Sequence, residues 1–177
     1  MIVQPNTGTK LFEEIDERFE RDDEWSFPKS VSIGWPILEK PKPNDFRDFS
    51  IRYYEASRSL CEMVSRNKIE DYVASFPIIF LFRHSVELAL KAVVLHQTGK
   101  SAAGHDLSVL LKKVTGMPDW VVNWVSELHR LDERSTGLRY PDTDVAFFEA
   151  GSLMPEWQEK TERLHAVLLA LSQGHIR

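Results

Sequence analysis

The stretch FLFRHSVELALK, residues 80–91, decides the fold class of this chain. Apolar residues surround it from Ile78 to Leu95 and point to nearly every side of a helix. A helix that is apolar on most sides is typically buried at the centre of a domain. We expect Pro77 to open or kink this segment and Gly99 to end it. The stretch therefore predicts a long central helix.

Four ionisable side chains interrupt this apolar helix: Arg83, His84, Glu87 and Lys91. At about 100° per residue they fall within about 100° of one another, so they form one narrow polar stripe. Charge on such a helix costs free energy unless partners or water compensate for it. Two interpretations stay open. The stripe is either the solvent edge of the helix, with ordinary i,i+4 ion pairs, or a groove for an anionic ligand or a polar dimer seam.

Glycine and proline divide the chain beyond residue 45 into further helical segments. Apolar residues spaced by three and four predict helices at residues 46–63, 107–114, 118–131 and 152–173. No strand-like alternation of useful length appears. The sequence therefore predicts an all-α bundle.

The acidity of the chain is uneven. The net charge is −5, and 42% of the 177 residues are hydrophobic, as in an ordinary globular protein. Residues 1–45 carry 10 acidic and 6 basic side chains and five of the nine prolines, whereas residues 46–177 carry 17 acidic and 16 basic side chains. We interpret residues 1–45 as an acidic, proline-containing extension and residues 46–177 as the domain. This charge balance excludes a generally basic protein that coats RNA, but it allows a local RNA-binding site on the domain.

The sequence favours a cytoplasmic protein. No stretch approaches 18 uncharged apolar residues, so no membrane span is expected. The first ten residues lack the pattern of a secretory signal. The single cysteine, Cys61, cannot form an internal disulfide, is typical of a reducing compartment, and is expected to be a small core residue.

Three other polar groups are candidates to face the stripe. His105 and Asp106 precede a helix start, where Asp106 is a plausible N-cap and free N–H groups favour anions. Asp132, Glu133 and Arg134 end the helix at 118–131, and alternatively they form only a solvated terminus. Arg139 and Tyr140 lie in a loop, where they would clamp a phosphate or a base, unless Arg139 is a structural ion-pair partner.

Other chemistry has little support in the sequence. There is no Walker A loop, Gly-x-Gly-x-x-Gly or Gly-x-Ser-x-Gly motif. His84, Glu87 and His105 can be written as a two-His-one-carboxylate site, but we expect no metal ion and no cofactor. The tryptophans of the domain sit at helical spacings and are expected in the core or an interface rather than in a stacking platform: Trp120, Trp124 and Trp157.

Three motifs together resemble the HEPN family, the higher eukaryotes and prokaryotes nucleotide-binding domains. They are FLFRHSVELALK at residues 80–91, GHDLSVLL at 104–111 and LRYPD at 138–142, and the likeness covers about residues 46–173. The resemblance implies an antiparallel bundle of about five helices that commonly forms a homodimer. It also implies a role in RNA cleavage, nucleotide binding, or toxin–antitoxin and defence systems.

One departure from the family affects the expected activity. HEPN ribonucleases carry an Arg followed after four to six residues by a His, and no histidine here has an Arg at that spacing. Their catalytic residues cannot be carried over, so whether the chain is an enzyme stays open, and we favour a non-catalytic module that binds RNA, a nucleotide or a protein partner. The alternatives are a divergent metal-independent ribonuclease and a structural homodimer. The candidate ligand-binding residues are Arg83, His84, Glu87, Lys91, His105, Asp106, Arg139 and Tyr140.

Overall fold

The computed structural model describes the chain at residues 43–133, 138 and 154–174. This part forms five helices and contains no strand, which confirms the predicted all-α bundle. The helices are α1 (Pro43–Ser65), α2 (Asp71–Thr98), α3 (Leu107–Leu111), α4 (Asp119–Leu131) and α5 (Met154–Leu171). None of these five is long and apolar enough to cross a membrane.

Helix α2 is the centre of the bundle, because α1, α3 and α5 all pack against it. Between Phe82 and Val94, every side chain except His84 is buried. Gly99 ends the helix in a left-handed conformation at φ 68°, where its N–H donates to the carbonyl of Leu95. Glycine adopts this conformation without the steric cost of a Cβ atom. The predicted central helix and its end are both confirmed.

Of the two roles predicted for Pro77, the opening of α2 is wrong, because the helix begins at Asp71. A kink at Pro77 stays a prediction. A proline inside a helix removes one hydrogen bond and costs about 3 kcal/mol. The turns around Pro77 bury Ala74 and Ile78 against Cys61 of α1. Burial of these apolar side chains outweighs the local cost of the proline. Cys61 is 2% exposed, as expected of a small core residue.

The main hydrophobic core lies where α2 meets α3, α4 and α5. The predicted inner faces of these helices contribute its fully buried side chains, including Phe82, Val86, Leu90, Leu107, Val121, Val125, Leu164 and Leu168. Trp120, Trp124 and Trp157 are partly buried and pack against this core, as predicted.

The predicted extension at residues 1–45 falls almost entirely outside the described residues. Helix α1 begins at Pro43 and therefore includes the last residues assigned to the extension. The division of the chain at residue 45 stays a prediction.

Candidate functional site

The polar stripe of α2 is buried. Arg83 is 2% exposed, Glu87 0% and Lys91 8%. The interpretation of the stripe as the solvent edge of α2 is therefore wrong for these three residues. His84 differs from them, since 22% of its side chain is exposed.

Glu87 is the centre of this buried stripe. Its Oε1 atom accepts hydrogen bonds from Nζ of Lys91 at 2.7 Å and from Nδ1 of His105 at 2.9 Å. Its Oε2 atom lies 3.7 Å from Nη1 of Arg83 and 3.8 Å from Nδ1 of His84. These longer separations are electrostatic contacts rather than hydrogen bonds.

Glu87 is ionised at neutral pH in spite of its burial. Burial alone would raise the pKa of this carboxyl group, because it removes the charge from water. The interactions with His84, Lys91 and His105 outweigh burial and lower the pKa to about 2. A fixed negative charge therefore lies inside the domain.

Arg83 joins three parts of the chain. Its Nη2 atom donates to the carbonyl of His105 at 3.1 Å and to the carbonyl of Asp132 at 3.2 Å. Its Nε atom lies 3.8 Å from Oδ2 of Asp132. Asp132 is only 5% exposed, so the alternative of a solvated terminus is wrong for Asp132, whereas Glu133 is exposed. The prediction that the group at Asp132 faces the stripe is confirmed for Asp132, whereas its pairing with Arg83 in particular could not be predicted from the sequence.

Arg83, Glu87, Lys91 and Asp132 form what we call the charge cluster. It contains two positive and two negative side chains, so its formal charges balance. Taking ions out of water costs several kcal/mol for each ion, and only close partners compensate for that cost. The charge cluster therefore holds the His105 loop and the end of α4 against α2, and it does so only while all four charged side chains are present.

His105 connects the charge cluster to solvent. Its side chain is 60% exposed, while its Nδ1 atom bonds to buried Glu87. Because an ionised carboxylate only accepts hydrogen bonds, Nδ1 carries the proton, and the neutral ring has its lone pair on Nε2. His84 lies at the same carboxylate and packs against Tyr53, with ring centres 4.4 Å apart. We call His84 and His105 the histidine edge.

Asp106 caps α3, as predicted. Its Oδ1 atom accepts the N–H groups of Ser108 at 2.8 Å and of Val109 at 3.1 Å, and Nδ1 of His129 lies 3.8 Å away. Hydrogen bonds from Ser108 and Val109 lower the pKa of Asp106. The expectation of N–H groups free for an anion is therefore wrong for these two amides, because the carboxylate of Asp106 already binds them.

The structure brings together five of the eight candidate residues, because four of them lie at the carboxylate of the fifth, Glu87: Arg83, His84, Lys91 and His105. Asp106 follows His105 in the chain. Arg139 and Tyr140 lie outside the described residues, so their contribution stays a prediction. Within the described residues, no three His, Cys, Asp or Glu side chains are grouped to hold a metal ion. The alternative of a two-His-one-carboxylate metal site is therefore not supported.

Comparison with known proteins agrees with the helical architecture. Neither curated proteins nor solved structures gave a significant match to the chain. The family model described as HEPN domain matches residues 51–169. That range includes 119 of the 177 residues, the whole of α2, α3 and α4, and most of α1 and α5. The chain therefore belongs to the HEPN domain family.

Proposed function

We propose that this HEPN domain binds RNA or a nucleotide through the histidine edge, without the family's usual catalytic motif. The observation that carries this proposal is the exposed imidazole of His105, held in place by the buried, ionised Glu87. With the proton on Nδ1, Nε2 of His105 presents a lone pair, which accepts a hydrogen bond from a ribose hydroxyl or from an amino group of a base. Membership of the HEPN family adds support, because nucleotide and RNA binding are typical of it.

In this proposal, Arg83 and Lys91 position the site and do not contact the ligand. Both cations are at least nine-tenths buried and are engaged with Glu87 or Asp132. Removal of Arg83 would loosen the loop that carries His105, since Arg83 donates to the carbonyl of His105. Arg139 and Tyr140 remain predicted ligand contacts.

Fluorescence anisotropy with a labelled single-stranded RNA, and with a labelled adenine nucleotide, tests the proposal. His105→Ala should weaken binding about tenfold, which corresponds to the loss of one hydrogen bond to the ligand of about 1.4 kcal/mol. The matched control is His96→Ala, because His96 is exposed in the last turn of α2 and makes no contact with the charge cluster. Equal binding by wild type, His84→Ala and His105→Ala would exclude the histidine edge as the site.

A divergent ribonuclease is the second candidate function. The pairing of Glu87 with His105 favours it, because a carboxylate that orients an imidazole prepares it for proton transfer. His105 would accept the proton of the ribose 2′-hydroxyl as that oxygen attacks phosphorus. The bond from phosphorus to the 5′-oxygen would break, and this oxygen would take a proton from water, so that the products are a 2′,3′-cyclic phosphate and a 5′-hydroxyl. Incubation with a mixed RNA pool and a chelator tests this, and an inert protein would exclude it.

We further propose a homodimer that works in a cytoplasmic toxin–antitoxin or defence system. HEPN domains often dimerise, which supports the first part. Burial of Arg83, Glu87 and Lys91 within one chain argues that the stripe itself is not the dimer seam. A monomeric mass in light scattering at physiological concentration would contradict the homodimer.

A further inference from the structure

Both cations of the charge cluster are already engaged inside the domain. Arg83 and Lys91 are only 2% and 8% exposed. Arg83 lies against Glu87 and Asp132, and Lys91 is hydrogen-bonded to Glu87. A phosphate at the surface would have to draw one of these cations away from a buried carboxylate, which is costly. The charge cluster therefore does not favour a phosphate at the histidine edge.

Negative charge also lies close to His105. Asp106, the next residue, is ionised, because hydrogen bonds from two residues of α3 lower its pKa, and 46% of its side chain is exposed. Glu133 is exposed next to Asp132, whose carbonyl shares the guanidinium of Arg83 with the carbonyl of His105. Like charges repel, so these carboxylates disfavour a phosphate beside the His105 ring.

The outer nitrogen of the neutral His105 ring is a hydrogen-bond acceptor. Glu87 holds the proton of the ring on Nδ1, so Nε2 presents a lone pair. The oxygens of an ionised phosphate are acceptors as well and cannot donate to that lone pair. The amino group of a base and the 2′-hydroxyl group of a ribose are donors. The ring of His105 therefore selects the donor groups of a nucleoside.

Aromatic surface accompanies this acceptor. His84 lies at the same carboxylate as His105, and 22% of its side chain is exposed. Its ring meets the ring of Tyr53 edge to face, with centres 4.4 Å apart, and Tyr53 is itself partly exposed. Unpaired bases pack against such rings, whereas a phosphate gains nothing from them.

We propose that the histidine edge recognises the nucleoside part of its ligand and leaves the phosphate in solvent. A base amino group or the ribose 2′-hydroxyl donates to Nε2 of His105, and the base lies against the rings of His84 and Tyr53. This inference rests on the proposed function, since it requires ligand binding at His105. Binding of this kind releases few counterions, so its affinity depends only weakly on salt.

NMR titration of the nitrogen-15-labelled full chain with adenosine, AMP and ribose 5-phosphate tests the proposal. We expect saturable shifts at the amides of residues 104–106, with adenosine and AMP within about twofold in affinity. Ribose 5-phosphate should bind at least about tenfold more weakly, because it lacks the base. An AMP affinity more than about tenfold above that of adenosine would overturn the proposal, and so would a salt slope as steep as roughly −0.7 for each phosphate contact.

Two adenosine analogues identify the donor. Purine riboside lacks the amino group, and 2′-deoxyadenosine lacks the 2′-hydroxyl. The analogue that has lost the donor should bind about tenfold more weakly than adenosine, the size of one hydrogen bond. Affinities equal to that of adenosine for both analogues would overturn donation to His105.

His105→Lys replaces the acceptor with a cation, with circular dichroism as the check of folding. It should weaken adenosine about tenfold and make AMP the better ligand. The control is Lys100→Ala, which removes an exposed cation from the same loop and should leave both affinities unchanged. A loss of AMP affinity in Lys100→Ala would instead assign the phosphate to that lysine and overturn the proposal.

The two proposals fail in different ways. If labelled RNA binds equally to wild type, His84→Ala and His105→Ala, the histidine edge is not the site and both fail. If RNA binding requires His105 but adenosine does not bind, or binds far more weakly than AMP, only the recognition of the nucleoside fails.

Discussion

The Nδ1 atom of His105 donates to Oε1 of Glu87 across 2.9 Å, although Glu87 is fully buried and 60% of the His105 side chain is exposed. One hydrogen bond thus joins the interior charge of the domain to its surface. A carboxylate in this position orients the ring and keeps the proton on Nδ1. The hydrogen bond between His105 and Glu87 therefore couples the stability of the bundle to the geometry of the proposed binding site.

Glu87→Ala should lower the free energy of unfolding by about 3–5 kcal/mol. The substitution leaves the cations of Arg83 and Lys91 buried with one partner fewer, and breaking a buried ion pair costs this much. Urea denaturation at pH 7 measures the change. The control is Glu62→Ala, whose carboxylate is 40% exposed and pairs with exposed Arg58, so its loss should cost less than about 1 kcal/mol. Equal losses in the two variants would contradict a structural role for the charge cluster.

Arg83→Lys should loosen the segments that Arg83 connects, even though the charge is kept. A single ammonium group cannot reproduce the donation of one guanidinium to the carbonyls of His105 and Asp132 while facing Glu87. Hydrogen exchange should accelerate at residues 105–110 and at the end of α4. Arg58→Lys on the exposed face of α1 is the control and should leave exchange unchanged. Unaltered protection in Arg83→Lys would show that charge alone holds these segments.

Acid should destabilise the fold through His165, which is 3% exposed. Ser50 donates its hydroxyl hydrogen to the carbonyl of Ser85 at 2.8 Å, so Nε2 of His165, 2.9 Å from Ser50, carries a hydrogen and donates it. Burial lowers the pKa of His165 from 6.5 to about 4. The unfolded chain takes up the proton first, so this stability is complete above pH 6.5 and falls as the pH drops to about 4. The loss is about 3 kcal/mol.

Urea denaturation at pH 7, 5.5 and 4 checks this dependence. His165→Asn should flatten the slope between pH 6.5 and 4, whatever its effect at pH 7, while His96→Asn should retain the wild-type slope. Glu87 adds a separate loss between pH 4.5 and about 2, because its pKa is lowered and its stabilising charge disappears only on protonation. An unchanged slope in His165→Asn would exclude His165 as the origin.

Asp106→Ala should cost about 1 kcal/mol, because the amides of Ser108 and Val109 lose their acceptor. Thermal denaturation gives the change in stability. Asp119→Ala is the matched control: Asp119 is also acidic and in a first helical turn, but it is not the N-cap of α4. Its loss should remove only a small helix-dipole contribution of about 0.5 kcal/mol. Equal effects of the two substitutions would indicate that the capping bonds contribute nothing beyond charge.

Local features of the bundle could be predicted because they depend on neighbours in the chain. The Asp106 N-cap and the Gly99 helix end each follow from side-chain and backbone chemistry within a few residues. The inner faces of α4 and α5 follow from spacings of three and four. The start of α2 could not be predicted in the same way, since packing against α1 outweighs the local preference of Pro77.

The sequence could not show whether the polar stripe of α2 faces water or is buried. A helical wheel places Arg83, Glu87 and Lys91 on one face, and that pattern is the same whether the face meets water or a buried partner. The partners come from distant positions: His105 is 18 residues from Glu87, and Asp132 is 49 residues from Arg83. No periodicity reports such pairs.

By itself, the sequence determined the helical fold class and the membership of the HEPN family, because both depend on local periodicity and on short motifs in a fixed order. The tertiary structure alone decided that the charges of α2 are internal and that a histidine connects them to the surface. The reason is physical: the burial of a charge depends on which segments cover it, and those segments are set by packing of the whole bundle.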